Sequence, residues 1–332
     1  MFESIAIYEK DDFNIGGFLG AGKFCSVHEA ILSRKFSMNS SNSSLCDSNL
    51  ERPFAIKMIK GPDHEDKQPQ FAYLDLVRET VLLSTLNHGN IINIYGRGRR
   101  TPDCTLKDQY FIVLERLSHT LQKQIEHWSD NDKAIDVNDS EYRYSMSKNN
   151  VRNRLQVATS IASALAYLHS QNIIYRDLKP SNIGFNFHDQ VKIFDFGLSI
   201  QLKPGIFPSE YIGSPRYMAP EVFQRCEYRL SADVYSFGIL LWEICSLKKP
   251  FGDISTKSLK RKLIDGGRPK LNPNWSLALQ NLISSCWDSD PDSRPSMICV
   301  QKVLTQEIEK CKEFEPRRRN SLFHTMKRRV SI

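Results

Sequence analysis

The sequence predicts an α+β fold of two lobes, a small β-rich N-lobe followed by a larger helical C-lobe. Strand-like patterns dominate the first third of the chain, over residues 13–32, 54–59 and 110–115. Helical periodicity follows, over residues 71–86, 151–170, 230–247, 276–287 and 296–311. The change from strands to helices puts the boundary between the lobes near residues 115–119.

The 332 residues are enough for both lobes to build a core, and no internal repeat interrupts them. Polar stretches without periodicity predict two insertions and a tail. The predicted organisation is an N-terminal extension (1–12), an N-lobe (13–117) with a Ser/Asn-rich insertion (33–52), a C-lobe (118–311) with a polar insertion (129–150), and a basic tail (312–332).

The composition predicts a soluble intracellular protein. Apolar residues make up 40% of the chain, and no apolar run approaches the ~20 residues of a membrane span. Six Lys and Arg residues in the tail account for most of the net charge of +7, which leaves the body nearly neutral and gives no reason to expect a specific nucleic-acid partner. The eight cysteines form no CxxC pair. We therefore expect reduced thiols and a cytoplasmic or nuclear location.

A glycine-containing turn lies between the first two predicted strands, in the segment Leu19–Val27. Gly20 and Gly22 allow the backbone to approach phosphate groups and to offer them N–H donors. The same residues also fit an ordinary hairpin turn. No helix pattern follows the turn, which argues against a dinucleotide-binding motif.

Lys57 ends the segment Phe54-Ala55-Ile56-Lys57 within the predicted strand 54–59 and is a candidate phosphate-binding ammonium group. Glu79 shares a helical face with Leu76 and Leu83, and a glutamate on a buried face needs a partner. We expect Lys57 to be that partner. The alternatives are a lysine that reaches solvent and an exposed glutamate.

Three later motifs supply the remaining chemistry of phosphoryl transfer. They are Tyr175-Arg176-Asp177-Leu178-Lys179-Pro180-Ser181-Asn182, Phe194-Asp195-Phe196-Gly197 and Gly213-Ser214-Pro215-Arg216-Tyr217-Met218-Ala219-Pro220-Glu221. This reaction needs oxygen ligands for Mg²⁺ and a carboxylate that accepts the hydroxyl proton, and Asp177, Asn182 and Asp195 are groups of those types.

Five motifs in this order resemble the eukaryotic-type protein kinases over residues 13–311. The resemblance implies the two-lobed protein kinase fold and the use of ATP and Mg²⁺. It implies Asp177 as catalytic base, Lys179 at the γ-phosphate, Lys57 at the α- and β-phosphates with Glu79 as its partner, and Asn182 and Asp195 as metal ligands. The nucleotide-binding residues it implies are Leu19, Gly20, Ala21, Gly22, Lys23, Phe24, Cys25, Ser26, Val27, Ala55, Lys57, Leu114, Glu115, Leu117 and Gly184.

The resemblance also implies supporting roles. Glu221 would pair with Arg294, and Asp233 would brace the loop that carries Asp177. Tyr175 stands where the family usually has histidine, and we expect its ring to fill the same apolar space. Gly184 stands where a leucine-like side chain usually lies beneath adenine, so we expect either Phe194 or Ile183 to fill that space.

The segments Val234–Ile244 and Cys286-Trp287-Asp288 resemble the tyrosine-kinase-like group. The loop Asp177–Asn182 instead resembles the serine/threonine version, because tyrosine-specific kinases usually carry Arg or Ala where Lys179 stands. Protein serine or threonine hydroxyls are therefore the expected acceptors. A pseudokinase scaffold is the main alternative, but it usually lacks at least one residue of the set present here. A small-molecule kinase is less compatible with the segment that ends at Glu221.

Two regulatory hypotheses follow. Arg176 precedes Asp177, and Glu210 occupies the position four residues before Ser214 where such kinases often carry a phosphate. One hypothesis is that Glu210 pairs permanently with Arg176 in place of this phosphate; the alternative is that phosphorylation of Ser209 or Tyr211 switches the enzyme on.

In the tail, Arg-Arg-x-Ser occurs twice and marks Ser321 and Ser331 as targets of a basophilic upstream kinase or of this enzyme itself. Ser181 stands where basophilic kinases often carry glutamate, which favours the upstream kinase. A solvated tail, a nuclear-import signal or contact with an anionic membrane are the alternatives.

Overall fold

The structure is a computed structural model that describes residues 5–22, 24–33, 53–60, 69–99, 110–134 and 140–312. The Ser/Asn-rich insertion from residue 34, the residue Lys23 and the tail from residue 313 lie outside these ranges.

The N-lobe contains a six-stranded sheet in the order β1-β5-β6-β4-β3-β2. All its pairs are antiparallel except β1 with β5. The strands are β1 (Ala6–Tyr8), β2 (Phe13–Ala21), β3 (Cys25–Leu32), β4 (Phe54–Ile59), β5 (Ile94–Gly98) and β6 (Phe111–Glu115). The predicted strands and their hairpin are confirmed, and β4 has the predicted bounds.

Strand β1 lies inside the segment that was predicted to be an extension. It pairs in parallel with β5, and its buried Tyr8 packs edge-on against Phe13 with 5.1 Å between ring centroids. The N-lobe therefore begins at Ala6 and not at residue 13. A three-residue strand is too short to show a period of two, which is why the sequence pattern missed it.

Helix α1 (Pro69–Thr85) packs on the sheet and confirms the helix predicted over 71–86. Its inner face buries Leu76 and Leu83 together with Glu79. The buried Thr80 hydroxyl donates to the carbonyl oxygen of Leu76 and accepts from the Tyr110 hydroxyl. The helix thus places one carboxylate inside an otherwise apolar interface.

The C-lobe is built around a helix that is buried along almost its whole length, α5 (Ser231–Ser246). The described residues of this lobe include six further α-helices, of which α3 and α7 pack on α5: α2 (Leu121–Ala134), α3 (Ser140–Ser170), α4 (Pro220–Phe223), α6 (Thr256–Ile264), α7 (Leu277–Cys286) and α8 (Met297–Lys312). Short strands form two small sheets that lie below the N-lobe: β7 (His119–Thr120) with β9 (Ile183–Phe185) and β10 (Val191–Ile193), and β8 (Ile173–Ile174) with β11 (Ile200–Gln201).

The predicted polar insertion 129–150 is largely helical in its described part. Helix α2 continues through it to Ala134, and α3 begins at Ser140. Arg154 of α3, which is 5% exposed, donates to Asp132 of α2 at 2.6 Å. The charged residues Asp130, Asp132 and Lys133 of α2 are exposed. Hydropathy alone does not separate such a solvated helix face from a loop.

Two expectations from the sequence concern membrane-spanning helices and disulfide bonds. Within the described ranges, no helix is long and apolar enough to cross a membrane. The six cysteines in those ranges are free thiols.

Candidate active site

Three charged residues from both lobes form what we call the interlobe cluster: Lys57, Glu79 and Asp195. The Lys57 ammonium lies 2.6 Å from Glu79 Oε2 and 2.9 Å from Asp195 Oδ1. Lys57 lies within β4, Glu79 lies on the buried face of α1, and Asp195 follows β10. The predicted Lys57–Glu79 pair is therefore confirmed.

Burial and charge oppose each other in this cluster. Burial acts to lower the pKa of Lys57, but attraction from Glu79 and Asp195 outweighs it and raises that pKa well above its usual range. Burial raises the pKa of Glu79, an effect that Lys57 only partly offsets. Burial likewise opposes ionisation of Asp195, but Lys57 and Lys179 lower its pKa on balance. The cluster thus keeps a charged lysine and an ionised Asp195 in contact between the two lobes.

The backbone around Asp195 is held in a left-handed conformation, with φ of +62°. This conformation is uncommon for a residue with a side chain and persists where surrounding contacts enforce it. The next residue provides such contacts, because the Phe196 N–H donates to Glu79 Oε1 at 3.2 Å and the Phe196 ring packs edge-on against Tyr175. The Tyr175 ring is fully buried, as expected, and its hydroxyl donates to the Phe194 carbonyl.

A second group of side chains, here called the Asp177 network, comprises Asp177, Lys179, Asn182 and Ser214. Asp177 Oδ2 accepts from Lys179 Nζ at 2.7 Å and from Asn182 Nδ2 at 2.9 Å. Its Oδ1 accepts from the Ser214 hydroxyl at 2.7 Å. The structure brings the three predicted residues together and adds Ser214, whose presence in a quoted motif was the only sequence signal.

The Asp177 network is attached to the core through Asp233 at the start of α5, which is 1% exposed. Its carboxylate accepts from the backbone N–H groups of Tyr175 at 2.8 Å and Arg176 at 2.9 Å, and it lies 3.1 Å from His169 Nε2. Arg176 itself has φ of +70°. The predicted bracing role of Asp233 is confirmed.

Gly213 allows Ser214 to reach Asp177. Its φ is +105°, and a Cβ at this position would lie 2.4 Å from the Arg176 carbonyl oxygen. No other residue fits so close to the loop without moving it.

The glycine turn between β2 and β3 is where the sequence predicts contact with a nucleotide. At the turn, the Gly22 N–H donates to the Cys25 carbonyl at 2.9 Å, and a Cβ on Gly20 or Gly22 would meet no atom within 4 Å. The glycine turn therefore leaves open space. Burial raises the pKa of the Cys25 thiol to about 11, so this thiol remains protonated.

The predicted walls of the adenine pocket lie on neighbouring strands. Ala55 of β4 pairs with Leu114 of β6, and both are buried. Glu115 uses its carboxylate inside the protein, at 3.1 Å from Lys192 Nζ and 2.9 Å from Asn186 Nδ2. Because the carboxylate is already bound, we expect Glu115 to contact adenine through its backbone groups only.

The residue nearest to the space beside Gly184 is Leu117, which the sequence analysis had not assigned to this space. A Cβ on Gly184 would lie 2.7 Å from Leu117 Cδ1 and 3.4 Å from Phe194 Cε1. Phe194 does approach the site, as one of the two alternatives proposed, but Leu117 comes closer. The space beside Gly184 is thus occupied by Leu117, the backbone oxygen of His119 and Phe194.

Two predicted ion pairs hold the activation segment, residues 195–221. Arg176 Nη1 lies 3.7 Å from Glu210 Oε2 and donates to the Tyr228 hydroxyl at 3.3 Å. Arg294 makes a two-pronged contact with Glu221 at 2.6 and 2.9 Å. Both pairs are confirmed in the geometry, while independence from phosphorylation stays a prediction.

Comparison with known proteins identifies the family. Residues 13–323 match the model of the protein tyrosine and serine/threonine kinase family. The chain is 31% identical over 267 residues to serine/threonine/tyrosine-protein kinase HT1 of Arabidopsis thaliana, covering 80% of this chain and 63% of that relative. It is 30% identical over 304 residues to serine/threonine-protein kinase CTR1 of the same plant, covering 88% of this chain and 31% of the relative. The chain thus spans less than two thirds of the length of either relative. The chain belongs to the protein tyrosine and serine/threonine kinase family.

Proposed function

We propose that this protein transfers the γ-phosphate of ATP to serine and threonine hydroxyl groups of other proteins. The observation that carries the proposal is the joint assembly of the interlobe cluster and the Asp177 network. Lys57 contacts Glu79 and Asp195, and Lys179 contacts Asp177; charged groups of these types support phosphoryl transfer. The relatives named as serine/threonine kinases support the same acceptor class.

Nucleotide binding is assigned to the interlobe cluster and the glycine turn. The Lys57 ammonium would meet the α- and β-phosphates, held in position by Glu79. Because its side chain is only 13% exposed, water screens this charge weakly. The open space under Gly20 and Gly22 leaves room for the phosphates.

The donor atoms at Asn182 and Asp195 fit Mg²⁺. Asn182 Nδ2 donates to both the backbone oxygen and Oδ2 of Asp177, which leaves the amide oxygen of Asn182 available as a ligand. Asp195 uses Oδ1 for Lys57, and its side chain is 43% exposed. Mg²⁺ commonly takes one or two protein oxygens together with substrate phosphates. Bound there, it would neutralise phosphate charge during transfer.

Asp177 would accept the proton of the acceptor hydroxyl. Its oxygens are held by Lys179, Asn182 and Ser214, so the carboxylate is oriented before the substrate arrives. Lys179 lies between Asp177 and Ser214 and would stabilise negative charge on the transferred phosphoryl group.

A pseudokinase is the rival function, and a direct activity measurement separates the two. Purified protein is incubated with Mg-ATP and a degenerate peptide array that contains serine, threonine or tyrosine acceptors. We expect labelled serine and threonine peptides, and no labelling by the Asp177→Asn variant. Folded protein that binds ATP yet labels nothing would be a pseudokinase, and labelling of tyrosine alone would contradict the acceptor class.

We also propose a cytoplasmic or nuclear location and phosphorylation of Ser321 and Ser331 in the tail, which lies outside the described residues. The basic residues before each serine support recognition by a basophilic kinase. Two phosphates would offset about half or more of the tail's positive charge. Mass spectrometry of the protein from its native cell, combined with fractionation, tests both points; unmodified serines under varied growth conditions would contradict the tail proposal.

A further inference from the structure

A strong concentration of positive charge lies on and around helix α6. Residues 248–270 contain eight Lys and Arg residues against two Asp residues, which gives this segment a net charge of +6. The whole chain, with its basic tail, has a net charge of +7. The remaining body of the protein is therefore net negative, so this positive charge is local and not a property of the whole surface.

Much of the charge is presented on one face of α6. Residues that follow the first cation of the helix by three, four and seven positions project from the same side as it does. We call this face the α6 stripe, and its residues are Lys257, Lys260, Arg261 and Ile264. All four residues are exposed, including the apolar Ile264 at 45%. Two buried leucines attach the other side of α6 to the lobe, which leaves the stripe in solvent.

The cations of the stripe have little compensation inside the protein. Among the described residues, no carboxylate oxygen lies within 4 Å of the ammonium group of Lys257 or Lys260. Arg261 Nε lies 3.9 Å from Asp265 Oδ2, and because both side chains are more than half exposed, this pair contributes little. Like charges three or four positions apart destabilise a helix. Such a local conflict with stability is typical of a functional surface, and an anionic partner would relieve it.

A cavity of about 380 Å³ adjoins the stripe and shares Arg261 with it. Its walls offer a guanidinium, an ammonium and a hydroxyl group, and all three donate hydrogen bonds to anionic oxygen atoms. The lining residues are Ser258, Arg261, Lys262, Asp265 and Gly267. The cavity thus provides a recess for an acidic side chain next to the stripe.

The position of α6 relates it to the acceptor site. Arg216 of the activation segment donates through its guanidinium to the carbonyl oxygens of Pro250 at 2.8 Å and of Gly252, in the loop that leads to α6. Lys249 of the same loop lines a cavity that also contains Lys179 and Ser214 of the Asp177 network. Helix α6 itself packs against α4, where the activation segment ends. A protein bound on α6 therefore lies on the side of the C-lobe where the Asp177 network opens.

We propose that the α6 stripe is a docking surface for an acidic segment of a protein substrate. The carboxylates of that segment pair with Lys257, Lys260 and Arg261, and an apolar side chain of the segment covers Ile264. The proposal rests on the proposed kinase function and adds to it a second binding point outside the acceptor site. Two binding points on one substrate raise the local concentration of its acceptor hydroxyl at Asp177.

Direct binding tests the docking surface without turnover. The probe is a fluorescein-labelled peptide of glutamate residues with one central leucine and no hydroxyl side chain, and fluorescence anisotropy measures its Kd for the full chain. Raising the salt concentration from about 50 to about 300 mM should weaken binding. Lys257→Glu/Lys260→Glu should weaken it at least about tenfold, because two attractive charges become repulsive. Lys302→Glu, an exposed lysine of α8, is the control and should leave the Kd unchanged.

The basic tail is a second possible binder of the same peptide, and a tail variant separates the two. Arg317→Gln/Arg318→Gln/Arg319→Gln should keep the binding that Lys257→Glu/Lys260→Glu loses. Loss of binding in the tail variant alone would overturn the proposal. Binding to phosphatidylserine vesicles that depends on Lys257 and Lys260, without binding of the acidic peptide, would also overturn it and would assign the stripe to an anionic membrane.

A steady-state measurement then tests the effect on phosphorylation. An acceptor peptide is joined through flexible Gly/Ser linkers of several lengths either to the acidic segment or to its glutamine counterpart. We expect the acidic segment to lower KM about tenfold at the best linker length, and Lys257→Glu/Lys260→Glu to remove this difference. The same variant should phosphorylate the unlinked acceptor peptide within about twofold of wild type, which also confirms its fold. Equal KM values for both linked peptides at every linker length would overturn the proposal, and activity on the unlinked peptide would leave the kinase function untouched.

Discussion

The interlobe cluster and the Asp177 network are assembled in different ways. Lys57 is 22 positions from Glu79 and 138 positions from Asp195, so the cluster exists only while α1 lies against the sheet and the two lobes are closed together. Asp177, Lys179 and Asn182 come from six consecutive residues fixed to α5 through Asp233. The comparison teaches that movement of α1 would separate the interlobe cluster while the Asp177 network stays intact.

The largest effect should come from breaking the cluster at its centre. Lys57→Met removes the only cation held between Glu79 and Asp195 among the described residues, and we expect turnover to fall by at least about 100-fold. Circular dichroism should show a retained fold, because the Asp177 network does not depend on Lys57. Exposed Lys203→Met is the control. A variant with more than about a tenth of wild-type turnover would contradict the role of Lys57.

A pair of substitutions compares stability in the two regions. Asp233→Asn should lower the free energy of unfolding by about 2–4 kcal/mol, because an amide cannot accept from both backbone N–H groups and contact His169. Glu79→Gln should change the free energy of unfolding by less than about 1 kcal/mol, since burial already disfavours the charged form of Glu79. Both substitutions should reduce activity, and chemical denaturation measures the difference between their free energies of unfolding.

The pH dependence of Glu79→Gln sharpens this test. The folded-state pKa of Glu79 is raised above its ordinary value of 4.5. The contribution of Glu79 to the free energy of unfolding is therefore fully present below pH 4.5 and is lost as the pH rises through the folded-state pKa. The wild type should therefore lose stability relative to Glu79→Gln as pH increases above about 4.5. Equal destabilisation by Glu79→Gln and Asp233→Asn would remove the contrast between the regions.

A smaller effect is expected at the activation segment. Glu210 is 66% exposed and lies 3.7 Å from Arg176, and such exposed pairs contribute up to about 1 kcal/mol. Glu210→Gln should therefore lower the activity of phosphatase-treated enzyme by no more than about fivefold. Glu227→Gln should have no effect. Full inactivity of dephosphorylated wild type, restored by phosphate on Ser209 or Tyr211, would show that Glu210 does not replace the phosphate.

The smallest effect concerns the adenine floor. Gly184→Leu should raise the KM for ATP about threefold to tenfold, because the new side chain collides first with Leu117. The increase should shrink in a Leu117→Ala background and shrink less in a Phe194→Ala background, since Phe194 lies farther away. Additive effects with Leu117→Ala would show that the two residues do not share one space.

The sequence predicted those parts of the molecule that depend on local pattern. Strand β4 and the catalytic loop motifs could be read directly, and the Glu79 position followed from helical spacing. Strand β1 could not be predicted, because three residues show no period and its partner β5 is distant in the chain. The α2 extension and the packing of Leu117 over Gly184 depend on tertiary contacts that one sequence does not reveal.

The measurement that tests the central claim most directly combines Mg-ATP affinity and phosphotransfer for Asp177→Asn, with Asp189→Asn, an exposed residue with φ of +56°, as its control. If the two regions act separately, Asp177→Asn should bind Mg-ATP within about threefold of wild type and lose about 10²- to 10⁴-fold in turnover. Turnover above about a tenth of wild type, or a matching loss of nucleotide affinity, would contradict the account.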